Sequence, residues 1–285
     1  MEELKKYELS PFVKWAGGKR QLLNELMTRV PLEFNNYLEP FLGGGTLLLN
    51  LQPKSASVND INSQLINVYR AIKSDASELI RAVGDLDLID SNKEVYYERR
   101  EAFNQKIHKK ELDVDAAALF IWLNKHCFNG LYRVNKSGLF NVPYNNKVSG
   151  KSIIPSNLEA MSQYFQENNI EFYNTDFMDI TAKAKVGDFV YFDSPYIPES
   201  TTANFTDYTK DGFSYEDHLR LANNFKELDK QGVKLMLSNN NVPLVHELYE
   251  GYYITEVDVK RAINSKATKR KGKEIIVTNY APGKD

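Results

Sequence analysis

Short apolar segments rich in β-branched and aromatic residues recur along this chain of 285 residues, and they constrain its fold more than any other feature. Amphipathic helical segments separate most of them, including one that begins at a capping box formed by Ser214 and Asp217. This alternation predicts an α/β fold with an open sheet built from two halves of the chain. The segments that read as strands are residues 36–40 (NYLEP), 56–60 (ASVND), 170–174 (IEFYN), 188–193 (DFVYFD), 233–239 (VKLMLSN), 252–259 (YYITEVDV) and 274–280 (EIIVTNY).

The middle of the chain has a different pattern. Residues 65–72, 94–103 and 115–128 are amphipathic at helical spacing, and strand signals are nearly absent. The segment FNGLYRVNKSGLFNVPY then places Asn-Gly and Ser-Gly turns between apolar residues, which predicts a hairpin at about 128–144. We therefore predict one domain formed by residues 1–62 and 159–285, and an inserted, mostly helical domain at 63–158 that carries this hairpin.

Charge is distributed unevenly along the chain. The formal net charge is −2, yet the stretch from Lys260 to Lys273 contains only basic charged residues. Such a run predicts local contact with phosphates. The alternative is a solvated loop.

A single cysteine excludes an internal disulfide framework and fits a reducing compartment. Cys127 lies in an apolar helical segment, so we expect a core residue rather than a nucleophile. The four histidines show no ligand spacing with it, and no metal site is predicted. The longest uninterrupted apolar run, residues 116–123, is too short to cross a bilayer, and Met1 leads into charged residues. We expect a cytoplasmic protein without a membrane anchor.

A glycine-rich turn follows the first predicted strand in PFLGGGTLL (40–48). It is not the dinucleotide fingerprint, because the sixth position counted from Gly43 is Leu48, which argues against a nicotinamide or flavin enzyme. Asp60 ends the next predicted strand, where a carboxylate can accept hydrogen bonds from a ribose diol. The glycine turn and Asp60 together indicate a site for the adenosine part of a cofactor that carries no phosphate. A purely structural turn is the alternative.

Two further segments carry candidate chemistry. In PFVKWAGGKR (11–20), Trp15 and Lys19 flank paired glycines and could cover one end of a ligand, although Trp15 could instead be a core residue. In VYFDSPY (190–196), Asp193 follows a strand predicted to be buried on both faces. A carboxylate at the carboxyl end of a strand, followed by a rigid proline and Tyr196, could bind a flat polar ligand.

Six ordered motifs carry a family resemblance: KWAGGK (14–19), EPFLGGG (39–45), NDIN (59–62), FNGLYRVN (128–135), FNVPY (140–144) and DSPY (193–196). Together they closely resemble the DNA adenine methyltransferases of the Dam and DpnII type over residues 11–280, in the motif order of the alpha group of amino-methyltransferases. The resemblance implies a Rossmann-like S-adenosylmethionine-dependent sheet with an inserted target-recognition domain. It also implies S-adenosylmethionine as methyl donor and duplex DNA as acceptor, with no obligate protein partner.

The resemblance implies roles for individual residues at the cofactor. Trp15 and Lys19 contact it, Asp60 holds its ribose hydroxyls, and Asp176 binds its adenine amino group with Phe177 beside the ring. The full set of predicted cofactor-binding residues is Trp15, Ala16, Gly17, Lys19, Pro40, Phe41, Gly43, Gly44, Gly45, Thr46, Asp60, Ile61, Asp176, Phe177 and Asp193.

The tetrapeptide DSPY is the predicted catalytic motif. Asp193 and the backbone carbonyl of Ser194 would each accept one hydrogen of the target adenine's amino group, which directs the nitrogen lone pair toward the methyl donor. Pro195 keeps the turn rigid, and Tyr196 stacks on the adenine after it has flipped out of the duplex. The family usually has Asp-Pro-Pro-Tyr, but serine supplies the same backbone carbonyl.

For DNA, Asn129, Leu131 and Arg133 resemble the family's major-groove hairpin, with Arg133 suited to guanine. The implied recognition sequence is GATC. Without the family context, Asn129 and the glycine after it read as a plain turn. The predicted DNA-binding residues are Lys14, Asn129, Leu131, Arg133, Asn141, Pro143, Lys260, Arg261, Lys269, Arg270 and Lys271.

Four other functions stay open from the sequence. The same fold could methylate the amino group of cytosine, RNA, or a protein glutamine. A catalytically weak DNA-binding relative is the alternative outside enzymes. Aspartate at position 193 together with the DNA-reading insert favours adenine in DNA.

Overall fold

A computed structural model of the chain describes residues 7–15, 17, 19, 21–147, 150–198, 213–260 and 271–283. The chain divides into two compact units, each built from separate stretches of sequence. The first unit comprises Met1–Gly18, Gly43–Lys54 and Asp60–Asn174, and the second comprises Lys19–Leu42, Ser55–Asn59 and Thr175–Asp285.

The second unit contains six of the seven described strands together with short helices. Its elements are α1 (Leu23–Met27), β1 (Tyr37–Glu39), β2 (Ser55–Asn59), α7 (Phe177–Thr181), β4 (Phe189–Phe192), α8 (Tyr215–Lys230), β5 (Lys234–Asn240), α9 (Pro243–Leu248), β6 (Tyr253–Lys260) and β7 (Lys271–Thr278). These strands lie in the order β2-β1-β4-β5-β7-β6. The first four are parallel, and β7 runs antiparallel to both β5 and β6.

The parallel strands of this sheet are apolar because they are covered. Every residue of β4 is buried, as predicted for a run of aromatic and β-branched residues. Val190, Phe192 and Leu237 belong to one core cluster that also includes Phe225 of α8. Helix α8 begins at the predicted capping box, in which Ser214 and Asp217 each satisfy a backbone N–H of the other.

Parallel strands end at a common edge, and this geometry positions the polar residues of the second unit. Asp193 follows β4, Asn59 ends β2, and Ser238 lies near the end of β5. The carboxyl edge of the sheet is where open α/β sheets bind ligands. The predicted α/β pattern is thus confirmed, with its candidate carboxylate at that edge.

The first unit is mostly helical. It contains α2 (Thr46–Leu51), α3 (Ser63–Asp87), α4 (Lys93–Lys109), α5 (Val114–His126), a 3₁₀ turn (Phe128–Gly130), α6 (Pro155–Glu167) and β3 (Asn169–Tyr173). Helix α3 packs against α5 and α6, and α5 is buried along most of its length. The kink in α3 lies at Asp75, whose carboxylate accepts the N–H of Glu78 and so caps the helix beyond the break.

The chain turns back on itself after α5, as the turn dipeptides predict. Antiparallel bridges join Cys127 to Tyr144 and Val134 to Phe140. Cys127 is buried, in agreement with its prediction as a core residue. None of the helices among the described residues combines the length and apolarity needed to span a membrane.

Asn59 ties together three chain segments at the carboxyl edge of the second unit. Its side-chain amide donates hydrogen bonds to the carbonyls of Pro40 and Thr175, over 3.0 and 3.1 Å. Its side-chain oxygen accepts the N–H of Thr175 over 2.9 Å. The residue is almost fully buried at 1% exposure, so no water can replace these partners.

We predict that Asn59→Asp lowers the free energy of unfolding by about 2–4 kcal/mol, because a carboxyl group would face two carbonyl oxygens that have lost their donor. Urea denaturation monitored by circular dichroism measures the change. Asn146→Asp, at an exposed position, is the matched control and should leave the transition unchanged. An unaltered transition for Asn59→Asp would contradict the prediction.

Candidate active site

Asp193 is held at the end of β4 by two donors. The Lys19 ammonium lies 2.6 Å from Oδ1 of Asp193, with exposed side-chain fractions of 6% and 21% for the lysine and the aspartate. The Ser238 hydroxyl donates to the same oxygen over 3.3 Å and is itself hydrogen-bonded to the hydroxyl of Tyr191. Both donors thus contact Oδ1, and no hydrogen bond to Oδ2 occurs among the described residues.

Burial raises the pKa of the Asp193 carboxyl above its ordinary value. The Lys19 charge and its hydrogen bond, together with the Ser238 hydroxyl, lower it, whereas the Glu274 charge raises it further. Burial outweighs the ion pair. Asp193 therefore combines a fixed orientation with a strengthened affinity for protons.

Tyr196 lies against the same lysine. Nζ of Lys19 is 4.3 Å from the centroid of the tyrosine ring, which is a cation–π distance. The tyrosine hydroxyl donates a hydrogen bond of 2.7 Å to Oε2 of Glu274 on β7. Of the remaining tetrapeptide residues, Pro195 is exposed, and the buried Ser194 hydroxyl has no hydrogen-bond partner in the described part of the chain.

Asp176 and Phe177 form a second cluster in the second unit. Asp176 caps α7 through the N–H of Met178 and pairs with Arg220 over 2.9 Å. The Arg220 guanidinium lies 5.0 Å from the Phe177 ring centroid. Phe177 in turn packs against Phe41, at 5.4 Å between centroids. The structure thus places three predicted cofactor residues side by side and adds an arginine that the sequence did not single out.

In the first unit, Asp60 and the glycine turn are joined directly. Oδ2 of Asp60 accepts the N–H of Gly43, and Oδ1 accepts the N–H of Asn62, each over 2.9 Å. The Gly43 carbonyl accepts the Tyr69 hydroxyl over 3.0 Å. Burial raises the pKa of Asp60, and the two backbone donors partly oppose the shift. The N–H and the carbonyl of Gly43 are therefore both hydrogen-bonded.

The Trp15 ring covers this turn. A Cβ added to Gly43, whose φ is +49°, would lie 2.8 Å from Cδ1 of Trp15, so only glycine fits. The indole also stacks near Tyr132 and Phe120, with centroids 5.8 and 6.2 Å away. Trp15 is only partly buried, so it is neither a deep core residue nor a free lid.

The other predicted cofactor residues lie around these features. In the second unit Pro40 is buried and bonded to Asn59. In the first unit Gly44 and Thr46 are buried, Gly17 and Gly45 have positive φ, and Ile61 is 77% exposed. Ala16 lies outside the described residues.

Lys14 lies beside the start of the hairpin because Asn124 links them. The Asn124 side chain accepts the Lys14 N–H and donates to the carbonyls of Lys14 and Gly130, each over 2.9 Å. A Cβ at Gly130 would come within 2.5 Å of Cβ of Lys14. The glycine of the Asn-Gly pair is thus required by close packing, which the sequence interpretation as a turn alone did not include.

The hairpin presents its predicted DNA-binding residues to solvent. Nε of Arg133 donates to the Asn141 side chain over 2.8 Å, and the Asn141 N–H donates to the Arg133 carbonyl. Asn129, Leu131 and Pro143 are exposed. Asn141 therefore orients the exposed Arg133 guanidinium through its side chain and, over 3.5 Å, through its carbonyl.

Comparisons with known proteins agree on one family. The family described as D12 class N6 adenine-specific DNA methyltransferase matches residues 15–263. The type II methyltransferase M1.LlaDCHI of Lactococcus lactis subsp. cremoris is 43% identical, covering 96% of this chain and 97% of that protein. The type II methyltransferase M.MjaIII of Methanocaldococcus jannaschii is 41% identical, covering 96% and 100%. The DNA adenine methylase of Escherichia coli strain K12 is 36% identical, covering 95% of each.

The chain belongs to the D12 class of N6 adenine-specific DNA methyltransferases. The family resemblance inferred from the six motifs is confirmed, and with it an enzyme that acts on DNA and uses a methyl donor. The α/β sheet of the second unit fits the fold of donor-dependent methyltransferases.

The basic run, Cys127 and metal binding are the remaining sequence predictions for this D12-class methyltransferase. The predicted basic run lies mostly outside the described residues: Arg261, Lys269 and Arg270 are not described, and Lys260 and Lys271 pair through their backbones at the ends of β6 and β7. Burial raises the pKa of the Cys127 thiol to about 11, which disfavours the thiolate. No group of acidic, histidine and cysteine side chains in the described ranges could hold a metal ion.

Several supporting residues of the D12-class enzyme were not found from sequence. Ser238 and Glu274 hold the DSPY segment, Arg220 holds Asp176, and Asn124 holds Lys14. A serine, glutamate or asparagine in a strand or helix carries no spacing signal of its own. Only SNN at the end of a strand pattern (238–240) offered a hint, since polar residues there share the carboxyl edge with Asp193.

We predict that Lys19→Met moves the acidic limb of the pH–rate profile to higher pH. If Asp193 is the acceptor that the family motif implies, the rate falls as pH drops through its raised pKa, because a neutral carboxyl accepts a hydrogen more weakly than a carboxylate. The substitution removes the cation that lowers this pKa, while the Glu274 charge that raises it remains. Turnover at saturating DNA and methyl donor measures the limb. Lys226→Met, at an exposed lysine of α8, should keep the wild-type profile; a Lys19→Met limb at or below the wild-type pH would contradict the prediction.

Proposed function

We propose that this enzyme transfers the methyl group of S-adenosylmethionine to the exocyclic amine of an adenine flipped out of duplex DNA, within GATC. The observation that carries the proposal is the Asp193 carboxylate at the end of buried β4, oriented by Lys19 and Ser238 and flanked by the Tyr196 ring. The family supports adenine as the target base.

The chemistry explains why a carboxylate is needed. The adenine amine is a weak nucleophile because its lone pair is delocalised into the ring. A carboxylate that accepts one amino hydrogen draws the nitrogen toward a tetrahedral geometry and directs the lone pair at the methyl group. Lys19 and Ser238 both bond to Oδ1 of Asp193, so Oδ2 is the oxygen we assign to the amine.

The second amino hydrogen is assigned to the backbone carbonyl of Ser194. This contact does not depend on the side chain, so serine in place of the family's usual proline is compatible with it. Ile197 stabilises the turn from the far side, because its N–H donates to the Asn239 side chain and its carbonyl accepts from Asn240. These two hydrogen bonds from asparagine side chains to the Ile197 backbone thus supply part of the rigidity that a second proline would give.

Tyr196 is assigned to the flipped base. Stacking a base on an aromatic ring contributes about 1–3 kcal/mol, which is comparable with the few kcal/mol lost on unstacking. The ring lies next to the carboxylate, with the Lys19 ammonium between them. Lys19 contacts both groups, which keeps the carboxylate and the ring side by side.

S-adenosylmethionine, when bound, supplies an activated methyl group on a sulfonium. The chemistry of the residues fits it. In the part of the chain that the structure describes, each oxygen of Asp60 accepts one backbone N–H, which leaves lone pairs for two ribose hydroxyls. We assign Trp15 and the turn from Phe41 to Gly45 to the same cofactor, and Lys19 to its carboxylate.

The partly exposed carboxylate of Asp176, next to the Phe177 ring, has the character needed for an adenine amino group and its ring face. Arg220 fixes Oδ1 of this carboxylate. Pro40, Gly17, Thr46 and Ile61 keep their assignment to the cofactor on the family resemblance alone. A cytoplasmic location, expected from the sequence, fits a DNA substrate.

Reading of GATC is assigned to the first unit. Arg133, oriented by Asn141, suits bidentate contact with guanine, and Lys14 lies next to the hairpin that carries it. Leu131 and Pro143 are exposed and apolar, which suits contact with a thymine methyl group. The basic residues between β6 and β7 are assigned to phosphates on their charge.

The test of the function is transfer of labelled methyl groups to duplexes that contain or lack an adenine in GATC. We expect N6-methyladenine only in the GATC duplex, and Asp193→Asn should lower turnover by about 10²–10³-fold because the acceptor charge is lost. Asp179→Asn, at an exposed carboxylate of α7, is the matched control. Labelled cytosine, RNA or protein would instead support another amino-methyltransferase, and DNA binding without transfer a catalytically weak relative.

Arg133→Lys should relax the base preference at one position of the site by about 1–3 kcal/mol, because lysine cannot form the bidentate contact. Competition between GATC duplexes and duplexes altered at single positions measures this preference. Arg81→Lys, at an exposed arginine of α3, should retain it. Equal weakening for every duplex would show that Arg133 contacts only phosphate.

A further inference from the structure

The hydroxyl of Tyr196, which follows β4, is hydrogen-bonded to a residue of β7, two strands away in the sheet. Its oxygen lies 2.7 Å from Oε2 of Glu274. A neutral phenol that donates to a carboxylate forms a charge-assisted hydrogen bond, which is stronger and more directional than one between neutral groups. Burial raises the pKa of Tyr196, so the phenol keeps its proton and remains a donor.

Glu274 has a well-fixed backbone. It pairs with Asn240 of β5 on one side and with Val257 of β6 on the other, so it occupies a strand with neighbours on both edges. Its side chain is half-buried. A hydrogen bond to such a position fixes the far end of the tyrosine ring relative to the sheet.

The near end of Tyr196 is fixed by β5. The next residue, Ile197, donates its N–H to the Asn239 side chain over 3.0 Å and accepts from Nδ2 of Asn240 over 2.7 Å. Ser238, one residue earlier in β5, contacts Asp193. Backbone anchoring at one end and the Glu274 bond at the other fix the long axis of the ring, and the Lys19 ammonium lies 4.3 Å from its centroid.

A carboxylate at position 274 has an electrostatic cost at Asp193. Its hydrogen bond to Tyr196 explains why a carboxylate occupies this position. The Glu274 charge raises the pKa of Asp193 and so opposes the carboxylate form there. In the described part of the chain Glu274 has no salt-bridge partner that would offset this repulsion. The contact that stabilises Glu274 at this place is the hydroxyl of Tyr196.

We propose that Glu274 is a positioning residue, which holds the Tyr196 ring at the place where the flipped base stacks. The inference rests on the proposed function of Tyr196. A ring whose long axis is already fixed loses less conformational freedom when the base arrives, so the bond favours the flipped state without touching the DNA.

Kinetics and base flipping test this role together. Glu274→Ala should lower kcat/KM for the GATC duplex about tenfold, equivalent to ~1.4 kcal/mol, and reduce the fluorescence rise of 2-aminopurine at the target position. Glu274→Gln keeps an oxygen acceptor and should restore most of both signals. Tyr196→Phe keeps the ring but not the donor, and should match Glu274→Ala.

The double variant decides between positioning and general stability. Because both changes remove one bond, Tyr196→Phe with Glu274→Ala should lose no more than either alone. Glu256→Ala is the matched control and should behave as wild type. Glu256 lies on β6 and pairs with Lys273 of β7, and both side chains are exposed. Additive losses, or wild-type kinetics for Glu274→Ala, would overturn the inference.

Two further results separate the inference from the function beneath it. If Glu274→Ala does not fold, Tyr196→Phe alone decides, because wild-type flipping and kinetics would overturn the inference and a tenfold loss supports it. If the wild-type enzyme does not methylate adenine, or if Tyr196→Ala retains full flipping, the proposed function fails instead. Adenine methylation that depends on Tyr196 but not on Glu274 leaves the function intact and removes only the role of Glu274.

Discussion

The ion pair between Lys19 and Asp193 is the interaction on which the candidate active site depends. A carboxylate at the end of a strand buried on all sides loses hydration, and burial alone would favour its neutral form. Lys19 and Ser238 offset part of this cost by donating to one of its oxygens. The remaining oxygen is then a directed acceptor, which suits an amine whose reactivity depends on where its hydrogens point.

In each unit, hydrogen-bond donors orient a carboxylate that follows a strand, but the kind of donor differs. In the second unit Asp193 is oriented by side-chain donors, whereas in the first unit Asp60 is oriented by the backbone N–H groups of Gly43 and Asn62. The difference has a chemical meaning. In the function proposed above, Asp60 with its backbone donors binds the cofactor, and Asp193 with its lysine and serine donors takes part in the reaction.

Residues outside the six motifs, or at their edges, orient the functional groups that the motifs predict. Glu274 holds the Tyr196 hydroxyl, and Asn141 holds the Arg133 guanidinium, so a predicted functional group has a fixed partner in each unit. Each partner is an oxygen acceptor from a different strand or turn of the same unit. Membership of the D12 class gives the type of reaction, and these partners give it a geometry.

The sequence by itself determined the α/β alternation, the buried strand before Asp193, the glycine turn and the family, because periodicity and motif spacing are local properties of the chain. Only the tertiary structure decided which side chains meet. Lys19 contacts a carboxylate far along the chain, and Glu274 reaches Tyr196 because β7 inserts antiparallel between β5 and β6. Strand order and long-range pairing depend on packing across the sheet, which no local pattern encodes.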